Sequence, residues 1–195
     1  MFALAEEGHR SLYRQVVACI LSVRTFDEVS LVAARRLFEA APEPADLARL
    51  TPRAIDRVIG SVTFHRTKAE SIREIARAAA ARPGGELPCD TEALLALPGV
   101  GPKCAHLALG IACGERRISV DIHVHRVTNR WGYVRAPTPE RTMVELEARL
   151  PRRYWIEING LLVPFGKHIC TGRLPRCSSC PVLDMCRRVG VTSHR

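Results

Sequence analysis

The run Leu97-Pro98-Gly99-Val100-Gly101-Pro102-Lys103 constrains the fold more than any other stretch of the chain. Two glycines and two prolines interrupt a helix, yet the segments on both sides carry apolar residues at helical spacing. Asp90 can cap a helix over residues 91–97, and Pro98 to Gly101 must then turn the chain back. A second helix resumes over residues 103–112, with Ala105, Ala108, Leu109 and Ala112 small enough for close helix packing. A helix, a Gly-x-Gly hairpin and a second helix can aim backbone N–H groups at one phosphate, with glycine allowing close approach. Gly99, Val100 and Gly101 are therefore candidate nucleic-acid contacts, of a kind that is independent of base sequence.

Lys103 is the only charged residue in an otherwise small and apolar run that continues to Cys113. A helix N-terminus and an apolar wall both favour a neutral amine, which can serve as a nucleophile or Schiff-base former. Eighteen residues further on stands Asp121, placed to cap the helix that follows and so to be held ionised. A fixed carboxylate near a lysine could take a proton or stabilise a sugar cation. The plainer readings are a phosphate-binding lysine and a simple N-cap.

The rest of the chain reads as helix. Leu12, Val16, Val17, Ile20 and Leu21 share a face, and so do Val29, Val32, Ala33, Leu37 and Phe38 after a capping Asp27. Between them lies the loop Ser22-Val23-Arg24-Thr25-Phe26. Thr51-Pro52 and Thr138-Pro139 have the form of an N-cap followed by proline. Residues 62–68 read as a basic loop containing Phe64, and residues 69–82 as a helix with Ile72, Ile75, Ala76 and Ala79 inward. Residues 116–120 are extended, and further helices follow Asp121, run from 138 to 150 and from 154 to 165. No strand alternation is sustained, so the fold is expected to be all-α.

Lys and Arg number 29 against 20 Asp and Glu, a formal charge of +9 that suits a polyanionic partner. Hydrophobic residues make up 47%, which fits a globular chain and excludes a disordered one. No apolar run reaches the ~18 residues needed to span a bilayer, and the first residues lack the pattern of a secretory signal, so a cytoplasmic protein is expected.

Four of the eight cysteines are scattered, at Cys19, Cys89, Cys104 and Cys113, and are expected to act as buried thiols. The other four, Cys170, Cys177, Cys180 and Cys186, crowd into seventeen residues as C-x6-C-x2-C-x5-C. Four thiolates suit zinc or an iron–sulfur cluster, and a single C-x2-C knuckle with wider flanks fits a four-cornered cluster better. Arg173 and Arg176, between the first two cysteines, could reach phosphate or simply be solvated.

These pieces together resemble the endonuclease III family of DNA glycosylases, within the helix–hairpin–helix superfamily. The resembling stretches are LPGVGPKCAHLAL, SVDIHVHRVTNR, EINGLLVPFGKHIC and the four cysteines. The resemblance implies two helical domains with a DNA-binding cleft: a six-helix barrel over 26–130, and an iron–sulfur domain formed by 1–25 with 131–195. The family's extra N-terminal helix is expected to be missing. It implies a [4Fe-4S] cluster on the four cysteines, and a monomer acting on double-stranded DNA that contains a damaged base or an abasic site. It implies that a flipped oxidised pyrimidine is released as Lys103 attacks C1′, with Asp121 assisting, and that the strand is cut 3′ to the abasic site by β-elimination. Arg24, Phe64 and His123 are the candidates to fill the vacated space in the duplex. Three positions depart from the family pattern: Arg24 replaces a common glutamine, Ile122 a threonine, and Thr63 a glycine. A monofunctional mismatch or adenine glycosylase, a catalytically weak DNA-binding iron–sulfur protein, and a zinc site are the alternatives.

Overall fold

The periodicity of residues 12–21 becomes a real helix whose apolar side is fully enclosed: Val16, Val17 and Leu21 have no measurable exposure in the computed structural model, which describes residues 1–195. The chain divides into two compact units, residues 1–115 and 116–195. No strand occurs in either.

The first unit holds eight helices: α1 (Phe2–Glu6), α2 (Leu12–Ser22), α3 (Asp27–Ala40), α4 (Pro44–Arg49), α5 (Pro52–Ile59), α6 (His65–Ala80), α7 (Thr91–Leu95) and α8 (Pro102–Cys113). Helix α2 packs on α3, α6 and α8, and α4 and α5 pack on α6. The shared core is aliphatic, with Leu37, Leu47, Ile55, Ile59, Ile72, Ile75 and Leu109 all enclosed. Each such side chain contributes roughly 1.5–3 kcal/mol on burial. The small residues Ala105 and Ala108 are enclosed too, which lets α8 lie close to α2. Helix α2 thus belongs to the first unit, whereas the resemblance grouped residues 1–25 with the cysteine segment.

The expected caps are largely present. Ser11, Thr51 and Asp90 accept from the backbone N–H three residues on. Asp27 does not cap α3; it is the first helical residue, and Phe26 occupies the cap position without a side-chain bond. The acid still sits where the positive end of the helix dipole favours it. Two helices were not foreseen, α1 and α4. The second is held by a capping box in which the Asp46 carboxylate accepts from the Glu43 N–H. The supposed basic loop over residues 62–68 is also partly helix, because α6 begins at His65.

The scattered cysteines separate into two kinds. Cys19 and Cys104 are buried thiols, as expected of small apolar side chains. Cys89 and Cys113 are instead joined in a disulfide, with Cα atoms 6.2 Å apart. The cause is the hairpin itself. It folds α8 back along α7, so the residue before the α7 cap meets the last residue of α8.

The second unit contains α9 (Ile122–Trp131), α10 (Pro139–Arg149) and α11 (Glu157–His168), followed by single 3-10 turns at Cys177–Ser179 and Leu183–Met185. Helix α9 packs on α10 and α11 around Ile118, Val124, Val127, Val134 and Leu146. The close passage of the C-terminal segment past the end of α9 needs Gly132. Its φ is +71°, and a Cβ there would lie 2.5 Å from Arg187 Cδ.

Candidate active site and cysteine centre

The hairpin is built as its glycines require. Gly99 has a φ of +78°, and a Cβ on it would press to 3.3 Å from Ile20 Cδ1. Gly101 is different: a Cβ there would meet nothing within 4 Å. The absent side chain at Gly101 therefore serves no packing need of the chain and leaves the backbone open to an approaching group. Val100 does not face outward. Its side chain is buried and its N–H donates to Leu97 O at 3.2 Å, so it fastens the turn instead of offering a contact surface.

Lys103 is the second residue of α8 and is exposed. The dry apolar wall expected around it is not there, but the helix-terminal position is. Lys103 is therefore an exposed residue beside an open backbone turn, and Pro102, which has no N–H to leave unsatisfied, starts the helix.

Asp121 caps α9. One of its oxygens, Oδ1, accepts from the N–H groups of His123 and Val124, each at 2.9 Å. Two N–H donors at the positive end of the helix dipole hold the carboxylate plane in place. The next residue, Ile122, is 59% exposed, an apolar side chain in solvent immediately beside the acid. His123 is half-buried. Its ring packs on Gly166, where a Cβ would come within 2.9 Å, and its Nδ1 lies 3.0 Å from Arg126 Nη2. Burial first, then the charges of Arg126 and Lys167, push the His123 imidazole below its usual value, while Asp121 opposes them.

Arg24 and Phe64 lie on neighbouring loops of the first unit. Both are exposed, both have positive φ (52° and 58°), and the Arg24 guanidinium sits 5.8 Å from the centre of the Phe64 ring. Arg173 and Arg176 are exposed on the loop between the first two clustered cysteines. That loop is shaped by the Thr171 hydroxyl, which donates toward the carbonyls of Arg173 and Leu174.

Cys170, Cys177, Cys180 and Cys186 line one cavity, walled by Trp131, Phe165, Pro175, Leu183 and Val191. The Cys177 thiol is pushed up by burial and then by the charges of the other three. Four thiolates within reach of one another repel unless a cationic group sits among them. Four sulfurs set around a walled cavity suit a four-cornered cluster better than one tetrahedral ion. The donor set and its spacing therefore fit a [4Fe-4S] group.

Sequence reasoning missed the groups that hold this centre. Arg126 donates to Cys170 O at 3.0 Å and to Gly166 O at 2.7 Å. Arg130 donates to Thr171 O, to Gly172 O and to the Cys170 sulfur. They lie four apart on α9, one turn of the same face, and that spacing was the available signal. Lys68 was also missed. It is buried on α6, and its ammonium donates to Leu21 O, Val23 O and Thr25 Oγ1. Its spacing from Ile72, Ile75 and Ala79 places it on the buried face, which the sequence could have shown.

Comparison with known proteins agrees with this geometry. Residues 17–152 match the HhH-GPD superfamily of base excision DNA repair proteins. The chain is 39% identical over 174 residues to endonuclease III of Thermotoga maritima, covering 89% of this chain and 82% of that one. It is 40% identical to endonuclease III-like protein 1 of Gallus gallus, covering 89% of this chain and 63% of that one. Among solved structures, a trapped endonuclease III–DNA covalent intermediate matches with a TM-score of 0.83 and 30% identity, over 92% of this chain and 84% of that one. The chain belongs to the endonuclease III family of the HhH-GPD superfamily of base excision DNA repair proteins.

Proposed function

We propose that this chain is a bifunctional DNA glycosylase and AP lyase of base excision repair, acting on oxidised pyrimidines of the thymine glycol type. The observation that carries the reading is the exposed residue Lys103 in the first turn of α8, two residues after the open backbone of Gly101. The hairpin holds a phosphate of the damaged strand through backbone N–H groups, and the helix terminus adds its positive end. The damaged base is flipped out of the duplex. The Lys103 amine attacks C1′ and the base leaves with the electrons of the glycosidic bond. The nitrogen loses its proton, the sugar ring opens and a Schiff base forms. Loss of a C2′ proton then expels the 3′ phosphate, which cuts the strand by β-elimination. Asp121, fixed by its two N–H donors, takes up the amine proton or stabilises the cationic sugar.

Arg24, Phe64 and His123 contact the space left by the flipped base, and Arg173 and Arg176 the phosphates nearby. Cys170, Cys177, Cys180 and Cys186 hold a [4Fe-4S] cluster, which when bound supplies a rigid anchor for residues 170–186. The protein acts as a monomer on duplex DNA. The test is a lesion panel containing thymine glycol, dihydrouracil, uracil, adenine opposite 8-oxoguanine and an abasic site, with base release and nicking scored separately. Both events should occur together on the oxidised pyrimidines. Base release without nicking would contradict the lyase assignment.

A further inference from the structure

Four residues whose side chains are not glycine adopt positive φ, and in the first unit these are only Arg24 and Phe64. The left-handed region is strained for a residue that carries a Cβ. Such strain persists only where the surroundings fix it, and here the surroundings are specific. The Thr25 hydroxyl accepts from the Thr63 N–H at 3.1 Å and from Lys68 Nζ at 3.2 Å, and it donates toward Val23 O at 3.3 Å. A hydroxyl has one donor and two lone pairs, so its capacity is used in full. Lys68 donates to Leu21 O at 2.8 Å and Val23 O at 2.7 Å besides Thr25. Its three N–H donors thus meet three oxygens, and two of those are carbonyls at the end of α2, where a cation also complements the helix dipole.

This lock, buried at Lys68 and half-buried at Thr25, lies beside an exposed surface. Val23 is 46%, Phe26 75% and Phe64 55% exposed, with the Arg24 guanidinium stacked on Phe64. One loop carries Arg24 and Phe26, the other Phe64. The only hydrogen bond joining the two loops runs through Thr25. Lys68 fixes Thr25 from below.

We propose that Thr25 and Lys68 are positioning residues that lock the loops of Arg24 and Phe64 together, so that the guanidinium and the ring enter a damaged duplex as one preformed unit. Phe26 extends the same surface. The inference rests on the repair reading above, because it takes a duplex with a vacated base position as the ligand.

The test measures binding to a duplex carrying a stable tetrahydrofuran abasic analogue and to the same duplex undamaged, with 2-aminopurine opposite the lesion reporting insertion. Thr25→Val keeps the shape and removes the hydroxyl. It should lower the preference for the lesion about tenfold, with affinity for undamaged duplex unchanged, since ~1.4 kcal/mol is one decade. Thr25→Ser should restore the preference. The double variant Thr25→Val/Phe64→Ala should match Phe64→Ala alone, because the lock acts through the ring. Equal preference in Thr25→Val and wild type, or additive losses in the double variant, would overturn the lock. If the wild-type chain itself shows no preference for the lesion, the repair reading falls, a result distinct from failure of the lock.

Discussion

Removing the Cys89–Cys113 disulfide should destabilise the first unit by a predictable amount. The bridge joins the residue that precedes Asp90, the cap of α7, to the last residue of α8, so its loop encloses α7, the hairpin and α8. A cross-link across 24 residues lowers the entropy of the unfolded chain by an amount worth about 3.5 kcal/mol at 25 °C. Little packing is at stake on the Cys89 side, which is exposed, while Cys113 lies half-buried at the edge of the core. Cys89→Ser, Cys113→Ala and the double variant should therefore cost nearly the same, since either single change opens the loop. Urea unfolding followed by far-ultraviolet ellipticity measures this, and a melting temperature lower by roughly 7–14 °C should accompany it. Substitution is preferable to added reductant because it leaves residues 170–186 untouched. A shift below about 0.5 kcal/mol in Cys89→Ser would refute the loop-entropy argument. So would a cost confined to Cys113→Ala, which would be a packing effect only.

Two further outcomes follow from cations that donate to backbone carbonyls. Burial lowers the Lys68 ammonium from 10.5 to about 8, against the opposing influence of Cys19. Between those values the unfolded chain binds the proton and the folded chain does not, so stability should rise with pH from about 8 to 10.5. The gain is about 3 kcal/mol at most, because the three oxygens around the amine favour its charged form. Wild type minus Lys68→Met, compared by urea unfolding across that range, isolates it, and an equal pH slope in the two proteins would contradict the assignment. Arg130→Ala removes the donor to Thr171 O, Gly172 O and the Cys170 sulfur. Retention of the metal group should fall by about 10–100-fold, read as iron and sulfide per chain, since groups behind the ligands commonly matter by that factor. Unchanged iron content would show that the arginine does not support the centre.

Helix locations were legible where a local rule was strong. Thr51-Pro52, Asp90, Asp121 and Thr138-Pro139 announced helix starts, and all four cap as the rules require. Asp27 misled because an acid in the first turn and an acid at the cap look alike in sequence; only the backbone angles separate them. The Cys89–Cys113 pair was illegible because the spacing of 24 has no local meaning until the hairpin folds back. The helix-terminal placement of Lys103 and Asp121 was readable because each is marked by a glycine, proline or capping pattern. Val100 was not, since the sequence cannot tell which residue of a hairpin turns inward; its burial follows from packing with the first core. The burial of Lys68 is legible in its spacing along α6, but its role is not, because it comes from carbonyls at and just after the end of α2 that no pattern along α6 could indicate.

The claim at the centre of this account is that Lys103 forms a covalent bond to the sugar. Incubation of the intact protein with a duplex containing an abasic site, in the presence of borohydride, tests it most directly. Wild type should give one adduct of a single chain with the damaged strand. Lys103→Ala should give none, and Asp121→Asn should form it about 100-fold more slowly, the scale of losing a positioned acid or base. An adduct of equal yield with Lys103→Ala would contradict the assignment of the nucleophile.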